Sequence, residues 1–317
     1  MTLDSMVEEI KKAETIVLLT HESPDGDAIG STLALYIALK GMGKNVDFIM
    51  PEYSSTYQFL PQIEEVKKES KQEHYDLAIS LDCGDIKRLN GFSKYFEEAK
   101  TTINIDHHSG NTMFADYNFV EPASPACAQT LIVVLEYLEI AITKEIGTCL
   151  LTGIITDTGG FKYPGITPET FEFVAELLKK GVNVSNVYRK ALQVISRSKF
   201  ELGKIAIDRI EFIEDGKITF MYVTKQDEEL VHANIGDHEG IVEKGRDIEG
   251  VEVSIFLKEV EDGYKVSLRS NDYVNVADVC LMLGGGGHMR AAGCTLKCPF
   301  EQAKEKIIAK VREHIKS

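Results

Sequence analysis

The sequence predicts an α/β protein: an N-terminal domain with a mainly parallel sheet flanked by helices, then a smaller α+β domain across a cleft. Three observations lead there. Short apolar runs alternate with longer helix-patterned segments through the first half of the chain. Beyond about residue 212 the rhythm changes to runs rich in β-branched residues. At 317 residues the chain is long enough for two cores rather than one.

The elements follow in order. TIVLLT (residues 15–20) is a short apolar run of strand length, followed by a turn-rich stretch. AIGSTLALYIALKGMG (28–43) is apolar on nearly every face, so it reads as a buried helix ending near Gly41–Gly43. NVDFIM (45–50), DLAISLD (76–82) and TTINID (101–106) are further strand candidates bounded by polar punctuation. From 124 to 193 the pattern is helical: SPACAQTLIVVLEYLEI, KEIGTCLLTGIIT and TPETFEFVAELLKKG. The polar, helix-prone stretch 184–212 reads as a helical connector, which sets the domains at 1–183 and 213–317. In the second domain KITFMYVT (217–224), VEVSIFLKEV (251–260) and GYKVSLRS (263–270) are strand candidates. A helix (276–283), a glycine run and a final amphipathic helix (299–317) complete it. The chain shows no internal repeat and no low-complexity segment.

Composition excludes some functions. The net charge is −15, with no basic tail or stripe. Binding to long duplex nucleic acid rests on many Lys and Arg contacts to phosphates, so that class of partner is not expected. A short phosphorylated ligand, held by a few local cations or by metals, fits an acidic chain. The six cysteines form no CxxC pair, the first residues lack a signal-peptide pattern, and no apolar run reaches membrane-spanning length. A cytoplasmic protein with reduced thiols and no membrane association is the expectation.

Chemistry-bearing residues sit where the strand candidates stop. His21-Glu-Ser-Pro-Asp25-Gly-Asp27 follows the first run, placing one imidazole and two carboxylates beyond the carboxyl end of a strand, where open α/β sheets bind ligands. Solvated turn residues and a helix cap are the plain alternative for this segment alone. A calcium loop of EF-hand type fails, because the twelfth position counted from Asp25 is Tyr36 rather than Glu. Further groups arrive at matching positions. Asp82 closes one run with Asp85 after it, and Asp106-His107-His108 closes another. Asp157 ends the apolar stretch LLTGIIT, where a carboxylate is costly unless paired or bound to a metal.

Four carboxylates (Asp25, Asp27, Asp82, Asp157) and two imidazoles (His21, His107), with no thiolate, disfavour a structural zinc site. Oxygen-rich coordination suits Mn²⁺, with Mg²⁺ or Co²⁺ as substitutes. Six side chains are too many for one open ion, so two ions sharing a carboxylate are expected. No GxSxG, GxxxxGK[ST] or early GxGxxG motif offers another scheme, and Ser109 beside His108 has no supporting partner in the sequence. A second signal lies in Gly284-Gly-Gly286-Gly287-His288-Met-Arg290, whose glycine amides can form an anion nest beside an imidazole and a guanidinium. A loose loop is the alternative there. Arg269-Ser270, ending a strand candidate, offers another phosphate fork, with a surface ion pair as its plain reading.

Together these residues resemble the DHH phosphoesterases, named for the triplet Asp106-His107-His108. The motifs His21-x-x-x-Asp25-x-Asp27, Asp82-x-x-Asp85, Asp106-His107-His108 and Asp157 occur in order. GGGGH with Arg269-Ser270 looks like the DHH-associated domain of the nanoRNase/pAp-phosphatase branch. The resemblance implies one metal held by His21, Asp25 and Asp82, and another by Asp27, Asp82, His107 and Asp157, with Asp82 bridging. It implies that His108 contacts the scissile phosphate or assists the leaving oxygen, and that Asp85 and Asp106 orient ligands. Arg269, Ser270, Gly286, Gly287, His288 and Arg290 would form the substrate-binding side.

The expected activity is hydrolysis of short oligoribonucleotides to mononucleotides, together with removal of the 3′-phosphate from nucleoside bisphosphates such as pAp. A phosphodiesterase for the linear dinucleotides of cyclic-dinucleotide turnover and a non-catalytic nucleotide-binding regulator stay open as alternatives. So does a homodimer.

Overall fold

The computed structural model describes residues 2–72 and 74–315, and it divides into two compact units, Met1–Val194 and Ile195–Ser317. The first begins with helix α1 (Leu3–Lys12), capped by Thr2, then strand β1 (Thr15–Leu19) and helix α2 (Gly26–Gly41). Strands β2 (Asn45–Ile49) and β3 (Leu77–Leu81), the short helix α3 (Ser93–Glu97), and strands β4 (Thr101–Asp106) and β5 (Tyr117–Val120) follow. Helices α4 (Cys127–Tyr137), α5 (Lys144–Asp157), α6 (Pro168–Lys179) and α7 (Val184–Tyr188) complete the unit, with a π-type turn at Arg189–Gln193.

The sheet order is β2-β1-β3-β4-β5, and every pairing is parallel. Ile16 and Leu18 pack on one side with α2, α4 and α5, while Val17 and Leu19 pack on the other with Tyr95 and Phe96. Both faces of the central strands are therefore covered, which is why they read as continuous apolar runs rather than alternating ones. Helix α2 is buried from Gly26 to Leu39, because it is enclosed by α4, α5 and β2. Its first turn starts two residues before the position read from the sequence: the Asp25 carboxylate caps it, accepting from the backbone N–H groups of Asp27 and Ala28. β1 to β2 runs one way across the sheet and β3 lies on the other side of β1, so a topological switch point falls between the ends of β1 and β3.

The second unit starts with helix α8 (Arg197–Asp208) and strands β6 (Glu211–Ile213) and β7 (Ile218–Val223). Helices α9 (Lys225–Leu230) and α10 (Ile241–Arg246) lead to β8 (Val253–Val260) and β9 (Gly263–Ser270). Helix α11 (Val276–Leu281), strands β10 (Gly286–His288) and β11 (Ala291–Leu296), and helix α12 (Phe300–Arg312) complete it. The sheet order is β10-β11-β9-β8-β7-β6, antiparallel except for β7 with β8. One face carries a core with α11 and α12, and the other a smaller core with α8 and α10.

Several elements differ from the sequence expectation. The stretch 184–212 is not one element: residues 184–193 lie within the first unit, α8 within the second, and its last residues form edge strand β6. The glycine run is ordered, since Gly286–His288 pairs antiparallel with Ala291–Gly293. The last helix candidate extends to residues 316 and 317, which lie outside the described residues, as do residues 1 and 73. Among the described residues no helix is long and apolar enough to cross a membrane, and the six cysteines are free.

Candidate active site

Adjacent parallel strands end at one edge of the sheet, so whatever follows β1, β3 and β4 is brought together. His21 follows β1, Asp82 follows β3, and Asp106 ends β4 with His107 and His108 beyond it. Helix α2 brings Asp25 and Asp27 on its first turn, and α5 brings Asp157 as its last residue. The structure forms three overlapping groups from these residues: His21, Asp25 and Asp82; Asp27, His107 and Asp157; and Asp82, His107 and His108. In each group the potential ligand atoms lie within 4.8 Å of one another.

The separations are those of ligands rather than of hydrogen bonds. His21 Nε2 is 3.9 Å from Asp82 Oδ2, across the switch point. His107 Nε2 is 3.4 Å from Asp82 Oδ1, 3.4 Å from Asp157 Oδ2 and 3.9 Å from Asp27 Oδ2. Two donors each ~2.1 Å from one ion at near-octahedral or tetrahedral angles sit ~3.0–3.4 Å apart, close to the shorter of these gaps. Asp82 Oδ1 is buried and has no hydrogen-bond partner. A buried carboxylate oxygen without a partner carries a desolvation cost that a cation would offset. The donor set and this orphaned oxygen fit a divalent ion.

Electrostatics agree. Burial, then the neighbouring Asp157, pushes Asp27 up to about 8. Burial and Asp27 raise Asp82 well above the usual carboxylate range, and burial raises Asp157 to about 6. Burial alone would lower His107, but the surrounding Asp82, Asp27 and Asp157 raise it to about 10. Burial lowers His21 to about 4. Carboxylates packed this closely require positive charge among them. Asp157 adds to the demand by standing at a helix C-terminus, where a negative charge is disfavoured.

Supports surround the cluster. Asp27 Oδ1 and Oδ2 accept the Ala128 and Cys127 N–H groups at 2.9 and 2.5 Å, at the N-terminus of α4. Gly153 on α5 passes so close that an added Cβ would lie 2.5 Å from Asp27 Oδ1. His107 Nδ1 is 3.1 Å from the Ser124 carbonyl, which turns Nε2 toward the carboxylates. His108 Nδ1 is 2.7 Å from Asp106 Oδ1, and Asn111 donates to Asp106 Oδ2 at 2.6 Å. Burial would raise Asp106, yet His108 and Asn111 hold it below the usual carboxylate range. Asp85 lies apart from the three groups: it caps the turn after β3 by accepting from the Lys87 N–H at 2.8 Å.

Sequence reasoning passed over Asn104, Asn111 and Arg88. Asn111 also donates to Asn104 Oδ1, and Asn104 donates to Ser80 Oγ, tying the ends of β3 and β4 together. The Arg88 carbonyl accepts the Glu22 N–H at 2.8 Å, which puts this exposed cation near His21. Its spacing of three residues after Asp85 was the only available signal.

In the second unit Arg269 donates through Nε to Glu243 Oε1 at 2.8 Å and through Nη1 to the Leu268 carbonyl. Ser270 is buried and its hydroxyl donates to the Val274 carbonyl. Arg290 directs Nη1 and Nη2 to the carbonyls of Val274 and Asp272. His288 lies exposed on β10. Gly287 has φ +146°, and a Cβ there would meet the Ala291 carbonyl oxygen at 2.5 Å, so its smallness serves the hairpin. Gly286 faces open space, with no internal reason to be glycine.

Comparison with known proteins covers nearly the whole chain. Residues 15–154 match the DHH family, N-terminal domain, and residues 229–317 match the DHHA1 domain. A protein of Thermus thermophilus named bifunctional oligoribonuclease and PAP phosphatase NrnA is 36% identical over 98% of this chain and 94% of its own length. A Bacillus subtilis protein of the same name is 24% identical over 92% of each. Among solved structures, an exopolyphosphatase-related protein from Bacteroides fragilis superposes with a TM-score of 0.90 at 27% identity, covering 98% of this chain and 95% of that one.

Proposed function

The chain belongs to the DHH family of phosphoesterases, and from that premise we propose that it hydrolyses short RNA oligonucleotides to mononucleotides and removes the 3′-phosphate from PAP. The observation that carries the reading is Asp82: it belongs to two of the three ligand groups, and one of its oxygens is buried without a hydrogen-bond partner. The near-full-length likeness to the Thermus protein supplies the substrate class. Two divalent cations, Mn²⁺ foremost with Mg²⁺ or Co²⁺ as substitutes, fit the oxygen-rich donor set. The reduced thiols and acidic charge suit a cytoplasmic enzyme of short substrates rather than long duplexes.

The residues divide the work. His21, Asp25 and Asp82 would hold one cation, and Asp27, His107 and Asp157 with the shared Asp82 the other. When bound, the pair supplies Lewis-acid polarisation of the phosphoryl group and neutralises charge on the attacking and leaving oxygens. Asp106 accepts the His108 Nδ1 proton, so Nε2 is the ring atom directed away from Asp106 and toward the scissile phosphate or leaving oxygen. Asp85 shapes the turn that carries Asp82. On the second unit Arg269, His288 and the Gly286–Gly287 backbone bind substrate phosphate, while Ser270 and Arg290 hold the 272–274 loop beside them.

The test is a substrate panel with Mn²⁺: a labelled dinucleotide, a pentamer, a 24-mer, PAP and linear pApA. Dinucleotide and PAP should be turned over faster than the 24-mer; the reverse order overturns the short-substrate reading. Asp82→Ala should abolish hydrolysis and lower bound metal measured by elemental analysis, whereas wild-type rates would refute the shared-carboxylate arrangement.

A further inference from the structure

We propose that Glu243 is a positioning residue that aims the Arg269 guanidinium at substrate phosphate; the proposal rests on the reading of Arg269 as a phosphate contact. Thr219, Ser254 and Arg269 are cross-strand neighbours on β7, β8 and β9, forming one row on the face that α10 covers. Helix α10 lies tight against this row: a Cβ at Gly245 would fall 2.5 Å from Ser254 Oγ and 2.6 Å from Thr219 Oγ1. That closeness sets Glu243, one turn-half earlier, beside the guanidinium.

The bonding of the pair is asymmetric. Arg269 Nε donates to Glu243 Oε1 at 2.8 Å and Nη1 to the Leu268 carbonyl at 3.0 Å. Nη2 makes no hydrogen bond among the described residues, and the side chain is 27% exposed. Two points therefore fix the guanidinium plane, and the unbonded terminal nitrogen is left to reach an anion, for which the planar fork is suited. Glu243 Oε2 is buried with no partner, so this carboxylate makes no structural bond other than to Arg269. A burial of this kind is unfavourable unless the guanidinium compensates it. Arg290 and Arg209 differ: each spends both terminal nitrogens, on backbone carbonyls and on Asp227 respectively. Of these three, Arg269 is the guanidinium with both a rigid hold and an unused edge.

The experiment is steady-state kinetics on PAP with the Mn²⁺-loaded full chain, comparing Glu243→Ala, Glu243→Gln, Arg269→Ala and the double alanine variant. Glu243→Ala should raise KM about tenfold with kcat within about twofold, the pattern of lost substrate binding. Glu243→Gln, which keeps an oxygen acceptor for Nε, should recover most of that loss. The double variant should be no worse than Arg269→Ala, because the two residues act as one unit.

A wild-type KM in Glu243→Ala alongside a raised KM in Arg269→Ala overturns the positioning role and leaves the phosphate reading intact. Multiplying effects in the double variant also overturn it. An unchanged KM in Arg269→Ala removes Arg269 from the site and takes the proposal with it. If Glu243→Ala unfolds, the Arg269 Nε–H resonance decides: it should be protected from exchange in wild type and in Glu243→Gln and lose protection in Glu243→Asp, whose shorter side chain does not reach it; protection kept in Glu243→Asp refutes the dependence on this carboxylate.

Discussion

At the scale of single residues, the candidate site centres on Asp82, whose backbone takes φ +54°, a conformation uncommon outside glycine. Asp tolerates it better than most side chains, and such local strain is found where a functional group must be aimed. Its N–H is held by the Ile105 carbonyl, so the neighbouring strand fixes the turn. His108 depends on Asp106 in a different way. The 2.7 Å contact to Nδ1 sets the ring's tautomer and direction, while Asp106 belongs to none of the three ligand groups. Asp106→Asn should therefore lower kcat about 10–100-fold, the usual cost of losing an orienting partner, with bound metal unchanged by elemental analysis. A parallel fall in metal content would place Asp106 among the ligands instead.

Elements determine whether those residues meet. Helices α2 and α5 cross at small residues: a Cβ at Gly30 would lie 2.5 Å from the Cys149 carbonyl oxygen, and one at Gly153 would meet both Asp27 and Ala128. The crossing sets the distance between Asp27 on one helix and Asp157 on the other. Gly153→Ala should destabilise the fold by about 1–3 kcal/mol through overpacking. It should also reduce metal binding, because the collision involves the Asp27 carboxylate itself. Thermal melting with and without added Mn²⁺ checks both, and a variant that melts normally while binding metal normally would show that the helices separate without cost. The glycine hairpin teaches the complementary lesson. Its glycines serve strand pairing at Gly287, while Gly284 and Gly286 face open space, so one motif holds structural and accessible positions side by side.

At the scale of the whole molecule, each unit carries its own core, and each carries buried charge of a different kind. In the first unit the buried carboxylates lack enough cationic partners. In the second, Asp227 is fully served: Arg209 holds it with two bonds, and Thr224 donates to it from backbone and side chain. Burial opposes its ionisation, but Arg209 and Thr224 hold it down at about 2, below the ordinary carboxylate range. Its folded-state pKa is depressed, so the stabilisation is present above about pH 4 and lost as pH falls through about 2. Roughly 2 kcal/mol is at stake. Asp227→Asn should remove that stability at neutral pH and flatten the acid dependence over the same window. Hydrogen exchange of β7–β9 amides would show it, and an unchanged acid profile would exclude Asp227 as its source.

The apolar pattern of the chain carries the class of fold and points to the strand ends as the place of the candidate site. Buried parallel strands need apolar residues on both faces, so β1, β3 and β4 stand out as runs, and polar groups that interrupt them at their carboxyl ends stand out equally. His21, Asp82, Asp106 and His107 were legible for that reason, and Asp157 because it ends the apolar stretch that forms α5, as was the resemblance that their spacing carries. Short or partly exposed elements were not: β5, β6, β10 and the turn-length helices α9 and α10 bury too little apolar surface to impose a period. Strand order, and with it which ends are neighbours, had to come from the folded chain, because hydrogen-bonded pairing is absent from any local pattern. The folded chain alone separated Asp85 from the ligand groups, joined Asn111 to Asp106 across the turn after β4, and set Glu243 against Arg269, 26 residues apart in the chain.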